Sequence, residues 1–141
     1  MSKQVSTQKN SSQGLDLIKL ENKIKNENNA ILIIANGTSV LSSKYGYIIN
    51  KFKNIARINN YSTNQYSNYV GTKTDIWFNG ANQGLKKRKI IPNKVIVFVP
   101  STIHINKQHR LNKISKRIGV SSGEYSLIKK EKMLLYEKIT K

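Results

Sequence analysis

Four polar residues, Asn36, Gly37, Thr38 and Ser39, stand directly after the apolar run Ala-Ile-Leu-Ile-Ile-Ala at 30–35. An Asn amide both donates and accepts, and Thr and Ser add hydroxyls, so this set suits a phosphate, ribose or base better than it suits proton transfer. A second amide, Asn59, ends the next strand-like stretch, with Arg57 two residues before it. Residues that end adjacent strands of a parallel sheet stand side by side at its carboxyl edge, where nucleotides and anions bind. The spacing therefore predicts one pocket shared by Asn36 and Asn59. Asn-Gly alone marks a plain turn, and its weight here comes from its place after a buried strand.

Other chemistry has less support. His104 and His109 have no clustered acid and no Cys beside them, so they do not form a metal site and read as surface histidines. Six of the seven acids, Asp16, Glu21, Glu27, Glu124, Glu131 and Glu137, fall on expected flanking helices, which leaves only Asp75 and no carboxylate pair to hold a divalent cation. No cofactor and no metal are expected. A Walker loop, a GxGxxG fingerprint and a GxSxG elbow are all absent from the sequence. The basic run Lys86, Lys87, Arg88 and Lys89 reads as a solvated turn ahead of a phosphate-binding patch.

The elements that must position these residues follow from patterning. Residues 30–35 are apolar throughout and read as a strand buried on both faces, with Asn36 and Gly37 tolerating the positive φ of a tight turn and Thr38 or Ser39 capping a short helix. Residues 54–59 alternate, sending Ile55 and Arg57 one way and Ala56 and Ile58 the other. Residues 75–79 form a third strand with Trp77 and Phe78 on opposite faces, and 95–99 a fourth, ended by Pro100. Residues 60–69 carry Tyr61, Tyr66 and Tyr69 on a surface loop able to fold over a ligand. Helices are expected over about 14–27, 106–118 and 124–140. The expectation is an α/β domain over 14–141, three-layered around a mainly parallel sheet, behind a disordered polar tail at 1–13.

The whole chain sets wider bounds. Its 141 residues hold one core, and no apolar stretch is long enough for a membrane span or placed as a secretory signal, so a cytoplasmic location is expected. With no Cys, disulfides and thiolate zinc sites are excluded. The net charge of +18, from 25 Lys and Arg against 7 Asp and Glu, attracts nucleic acid, anionic membrane or an anionic small molecule without choosing among them. A basic nucleic-acid-binding module, with the three tyrosines as stacking platforms, is thus the alternative function.

Three segments in series carry a family resemblance. Ala35-Asn36-Gly37-Thr38-Ser39 resembles the GNGPS-like start of the large sialylmotif of glycosyltransferase family 29, the eukaryotic-type sialyltransferases. Arg57-Ile58-Asn59-Asn60 resembles that motif's R-x-N segment, and Val70-Gly71-Thr72-Lys73-Thr74 matches its VGTKT ending, in the same order and with similar gaps. The departures are Ala35 for Gly, Thr38 for Pro, and Tyr69 for the Asp that often precedes VGTKT. The resemblance implies a Rossmann-like domain of a variant GT-A type and metal-independent transfer of sialic acid from CMP-sialic acid to a glycan. It implies that Asn36 and Asn59 contact the CMP part of the donor with Ser39 beside them, that Gly37, Thr38 and Arg57 border the same pocket, and that Gly71 and Thr72 shape the loop. The family's small sialylmotif and its later basic His have no convincing counterpart after residue 99, so the chain is expected to hold the donor-binding half, incomplete at the carboxyl end.

Overall fold

The computed structural model describes residues 18–24 and 29–140. The expected tail at 1–13 lies outside them. Five strands, β1 (Ile31–Ile34), β2 (Asn54–Ile58), β3 (Ile76–Asn79), β4 (Lys94–Val97) and β5 (Ser126–Leu127), form one sheet in sequence order, every neighbouring pair parallel. Residues 18–24 are helical (α1). A 3-10 turn, Thr38–Leu41, and the short helix α2 (Gly46–Ile49) join β1 to β2, and α3 (Ser67–Val70) joins β2 to β3. Residues 80–93 link β3 to β4 without a helix. Then α4 (Ser101–Asn106), α5 (Gln108–Leu111) and α6 (Ile114–Ile118) precede β5, and α7 (Lys130–Ile139) follows it.

Register explains which side chains meet. Ile34 pairs with Arg57, Arg57 with Trp77 and Trp77 with Val95, so these residues share one face of the sheet. Right-handed crossovers between strands in sequence order put successive connections on one face. The main core forms there, where Trp77, Val95 and Val97 pack with Ile114 and Ile118 of α6 and with Ala81, Val99 and Val120. On the opposite face, Phe78 and Ile96 border a hollow closed by Lys132 and Tyr136 of α7. The result is an α/β, Rossmann-like layout with helices flanking an all-parallel sheet, as the sequence predicts.

Four expectations need correction. β1 is not buried on both faces: it is the edge strand, and Ile31 and Ile33 are 52% and 57% exposed. Its uninterrupted apolar run therefore says nothing of centrality; only the alternate residues Leu32 and Ile34 turn toward the covered face. Gly37 is extended at φ −69°, and neither Thr38 nor Ser39 caps the turn that follows. The left-handed residue falls instead at Asn59, with φ 50°. The expected helix over 106–118 is three short helices that begin directly after Pro100, and the expected helix over 124–140 gives its first residues to β5 before α7 starts. β5 has only two residues, too few to leave a period-two pattern, and it is held by pairing to β4 and by Ile128 N donating to Val97 O at 2.9 Å.

Candidate functional site

β1 delivers Asn36 to the carboxyl edge, where its Nδ2 donates to Ile58 O at 2.9 Å. That bond ties the tip of β1 to β2 and leaves Oδ1 without a hydrogen bond among the described residues, facing a requirement for a donor. A hollow of 230 Å³ opens here, bordered by Asn36, Gly37, Thr38, Arg57, Tyr61 and Tyr66 among others. Four of the six candidate residues thus meet in one place. Ser39 and Asn59 do not line it.

Asn59 sits on the neighbouring strand tip at the same edge, directly after the residue whose carbonyl holds Asn36. Its left-handed backbone lets N donate to Phe78 O at 2.7 Å while Asn59 O accepts from Trp77 Nε1 at 3.0 Å, and its Oδ1 accepts from Gly80 N at 3.1 Å. Asn59 thereby fastens β2 to β3. The two amides are complementary in what they leave over, since Asn36 retains an acceptor and Asn59 retains its Nδ2 donors.

Arg57 is the chemical centre of the hollow. It is 1% exposed, yet no carboxylate lies within salt-bridge distance of it among the described residues. Its Nε donates to Thr74 Oγ1 at 2.9 Å and Lys73 O at 3.2 Å, and its Nη2 donates to Val70 O at 2.7 Å and Lys73 O at 3.0 Å. Burial pushes the guanidinium below its ordinary pKa, and Arg88 adds to the downward shift against the opposing pull of Tyr61. An Arg stays charged through such a shift at neutral pH, so a positive charge with no neutralising partner borders the hollow.

These bonds account for the most distinctive stretch of the sequence, residues 70–74. Besides receiving the Arg57 bonds, Thr72 N and Lys73 N donate to Asn50 Oδ1 at 2.9 and 3.1 Å. Lys73 Nζ reaches Phe52 O and Lys53 O, both at 2.6 Å, and lies 3.4 Å from Asp75 Oδ2. Gly71 holds φ 69°, a left-handed conformation with Asn50 packed where a Cβ would stand. The stretch is a brace that fixes Arg57. Asn50, which no sequence pattern singles out, is its second anchor, and Asn60 was visible only as the last residue of the R-x-N segment.

The remaining candidates lie elsewhere. His104 is on α4 and half-buried, its Nε2 lacking a partner among the described residues, and His109 is exposed on α5; neither borders the hollow. No His, Asp or Glu lines it, and no three metal-ligating side chains cluster among the described residues. Among those residues, no helix is long and apolar enough to cross a membrane.

Comparison with known proteins agrees with the motifs. The family model described as glycosyltransferase family 29 (sialyltransferase) matches residues 2–135, well beyond the three segments that carry the resemblance. No curated protein and no solved structure matches the chain. With nearly the whole chain matched, and with the three motif segments meeting around one hollow at the sheet's carboxyl edge, the protein belongs to glycosyltransferase family 29, the sialyltransferases.

Proposed function

We propose that the hollow binds the cytidine monophosphate part of CMP-sialic acid, and that the protein serves transfer of sialic acid from this donor to a glycan acceptor. One observation carries the reading: Arg57, a buried cation without a carboxylate partner among the described residues, borders a hollow that also presents the Asn36 amide and the Thr38 residue. A buried positive charge favours an anion, and the nearby amide and hydroxyl suit a ribose or base. At 230 Å³ the hollow is smaller than the roughly 300–1,000 Å³ of a full ligand pocket, which matches part of a nucleotide sugar. Asn59 offers its Nδ2 donors from the next strand tip, beside the hollow and outside its lining, and Ser39 belongs to the turn whose Thr38, Val40 and Leu41 do line it.

Binding and proton transfer are separate tasks here. Deprotonating an acceptor hydroxyl requires a base within hydrogen-bond reach. Among the described residues no His, Asp or Glu lines the hollow, and the base is expected outside it. Among the described residues no carboxylate lines the hollow to hold a divalent cation, and donor binding is expected to be indifferent to chelators.

Calorimetric titration with CMP and CMP-sialic acid tests the reading. Wild-type protein is expected to bind both, in the presence or absence of EDTA. Thr38→Val, which keeps shape and removes the hydroxyl, should weaken CMP by about three- to tenfold, the equivalent of one neutral hydrogen bond. Absence of heat with both nucleotides overturns it.

A further inference from the structure

The run Lys86, Lys87, Arg88 and Lys89 reads in sequence as a solvated turn, and Lys86, Lys87 and Lys89 are indeed exposed, on a loop that runs along a groove. Asn60 clamps the loop from both sides, its Nδ2 donating to Gly84 O at 2.8 Å and its Oδ1 accepting from Lys86 N at 2.7 Å. Arg88 Nη1 donates to Tyr61 O at 2.8 Å, and its guanidinium lies 3.7 Å from the centre of the Tyr61 ring. The groove measures 560 Å³ and is bordered by the four basic residues, by Thr63, Asn64, Thr72 and Thr74, and by the apolar Ile90 and Ile91. Among the described residues no carboxylate lines it, and the two ion pairs there, Lys51–Glu21 and Lys73–Asp75, engage other lysines.

Four cations held together without counter-charge favour a multiply anionic ligand. Thr63, Thr72, Thr74 and Asn64 on the same lining add hydroxyls and an amide, which suit the hydroxyl-rich surface of a saccharide. The groove also adjoins the donor hollow, because Tyr61 lines both. Single-stranded nucleic acid would need open aromatic faces on which to stack its bases. Among the described residues Tyr61 is the one aromatic that lines the groove, and Arg88 covers its ring.

We propose that this groove binds an acidic glycan, a saccharide bearing carboxylate or sulfate groups, and presents it as acceptor to the neighbouring hollow. The acceptor role rests on the donor reading above; the binding site does not. The test is fluorescence anisotropy with a labelled sulfated tetrasaccharide at about 0.15 M NaCl, where exposed charges more than about 8 Å apart are screened. An uncharged tetrasaccharide and a single-stranded oligonucleotide of equal charge serve as comparison probes.

Lys86→Ala/Lys89→Ala is expected to weaken the sulfated probe at least about tenfold. Lys130→Ala/Lys138→Ala, which removes the same charge from exposed positions on α7, should weaken it less than about twofold. Equal weakening by the two double variants, or uncharged saccharide bound as tightly as sulfated, overturns the proposal. So does an oligonucleotide bound more tightly than the saccharide and lost with the same groove variant, which would make this a nucleic-acid site. Saturating CMP should leave the saccharide bound, and displacement by CMP contradicts a separate groove. If CMP does not bind at all while the variants behave as expected, the donor reading fails and the groove stands.

Discussion

Arg57 links the distinctive motif to the hollow. The alternation of 54–59 places its side chain on the same face as Ile55, but nothing in that pattern says that four hydrogen bonds from it would hold residues 70–74. An Arg at a strand's end ordinarily reaches water or a ligand; here it is buried among carbonyls, which only a planar fork of donors satisfies. Arg57→Lys keeps the charge and loses the fork, leaving buried carbonyls unpaired. It is expected to cost about 2–4 kcal/mol in urea denaturation. A loss below about 1 kcal/mol would show that the brace does not depend on guanidinium geometry. The positions of Asn36 and Asn59 were legible as strand ends, whereas the division of their hydrogen bonds was not, because amide partners depend on the neighbouring strand's register.

Alternation made β2 readable, the apolar Ile76-Trp77-Phe78 marked β3, and β4 stood out as a β-branched run between a loop and Pro100. Edge position was not readable in β1, since an all-apolar strand looks the same at the centre of a sheet and at its rim. Its consequence can be measured: Ile55→Ala, at 0% exposure, is expected to cost about 2–5 kcal/mol, and Ile33→Ala, at 57%, less than about 1 kcal/mol. Comparable losses at the two sites would mean that the outer face of β1 is covered in solution. The approach of α2 to α3 was hidden for a different reason. Gly46 meets the backbone of Ser67 and Asn68 so closely that a Cβ has no room, and only the assembled structure brings those residues together. Gly46→Ala therefore has to part the two helices, and a loss of roughly 1–3 kcal/mol is expected by thermal or urea unfolding. A variant as stable as wild type would contradict the close packing.

At the scale of the whole molecule, charge dominates. Against a net +18, the described residues include only two ion pairs, so most cations repel one another in the folded state without compensation. Raising NaCl from about 0.05 to about 0.5 M is expected to raise the melting temperature by roughly a few degrees as screening relieves that repulsion. A fall would mean that attractive pairs outweigh it. Net charge alone could not distinguish nucleic acid, membrane and small anion as partners. Position does more: one cation, Arg57, is buried at the hollow on the sheet's carboxyl edge, and four others line the groove beside it.

The central claim is that residues from the tips of neighbouring strands bind a cytidine nucleotide in the hollow at the sheet's carboxyl edge. An NMR titration of isotope-labelled protein with CMP tests it most directly, because each backbone amide reports its own surroundings. Saturable shifts concentrated at Asn36, Gly37, Thr38 and Tyr66, with smaller ones at Asn59, are the expected result. Shifts centred on the 86–89 loop or on α7, with the amides of 36–38 unmoved, would contradict it.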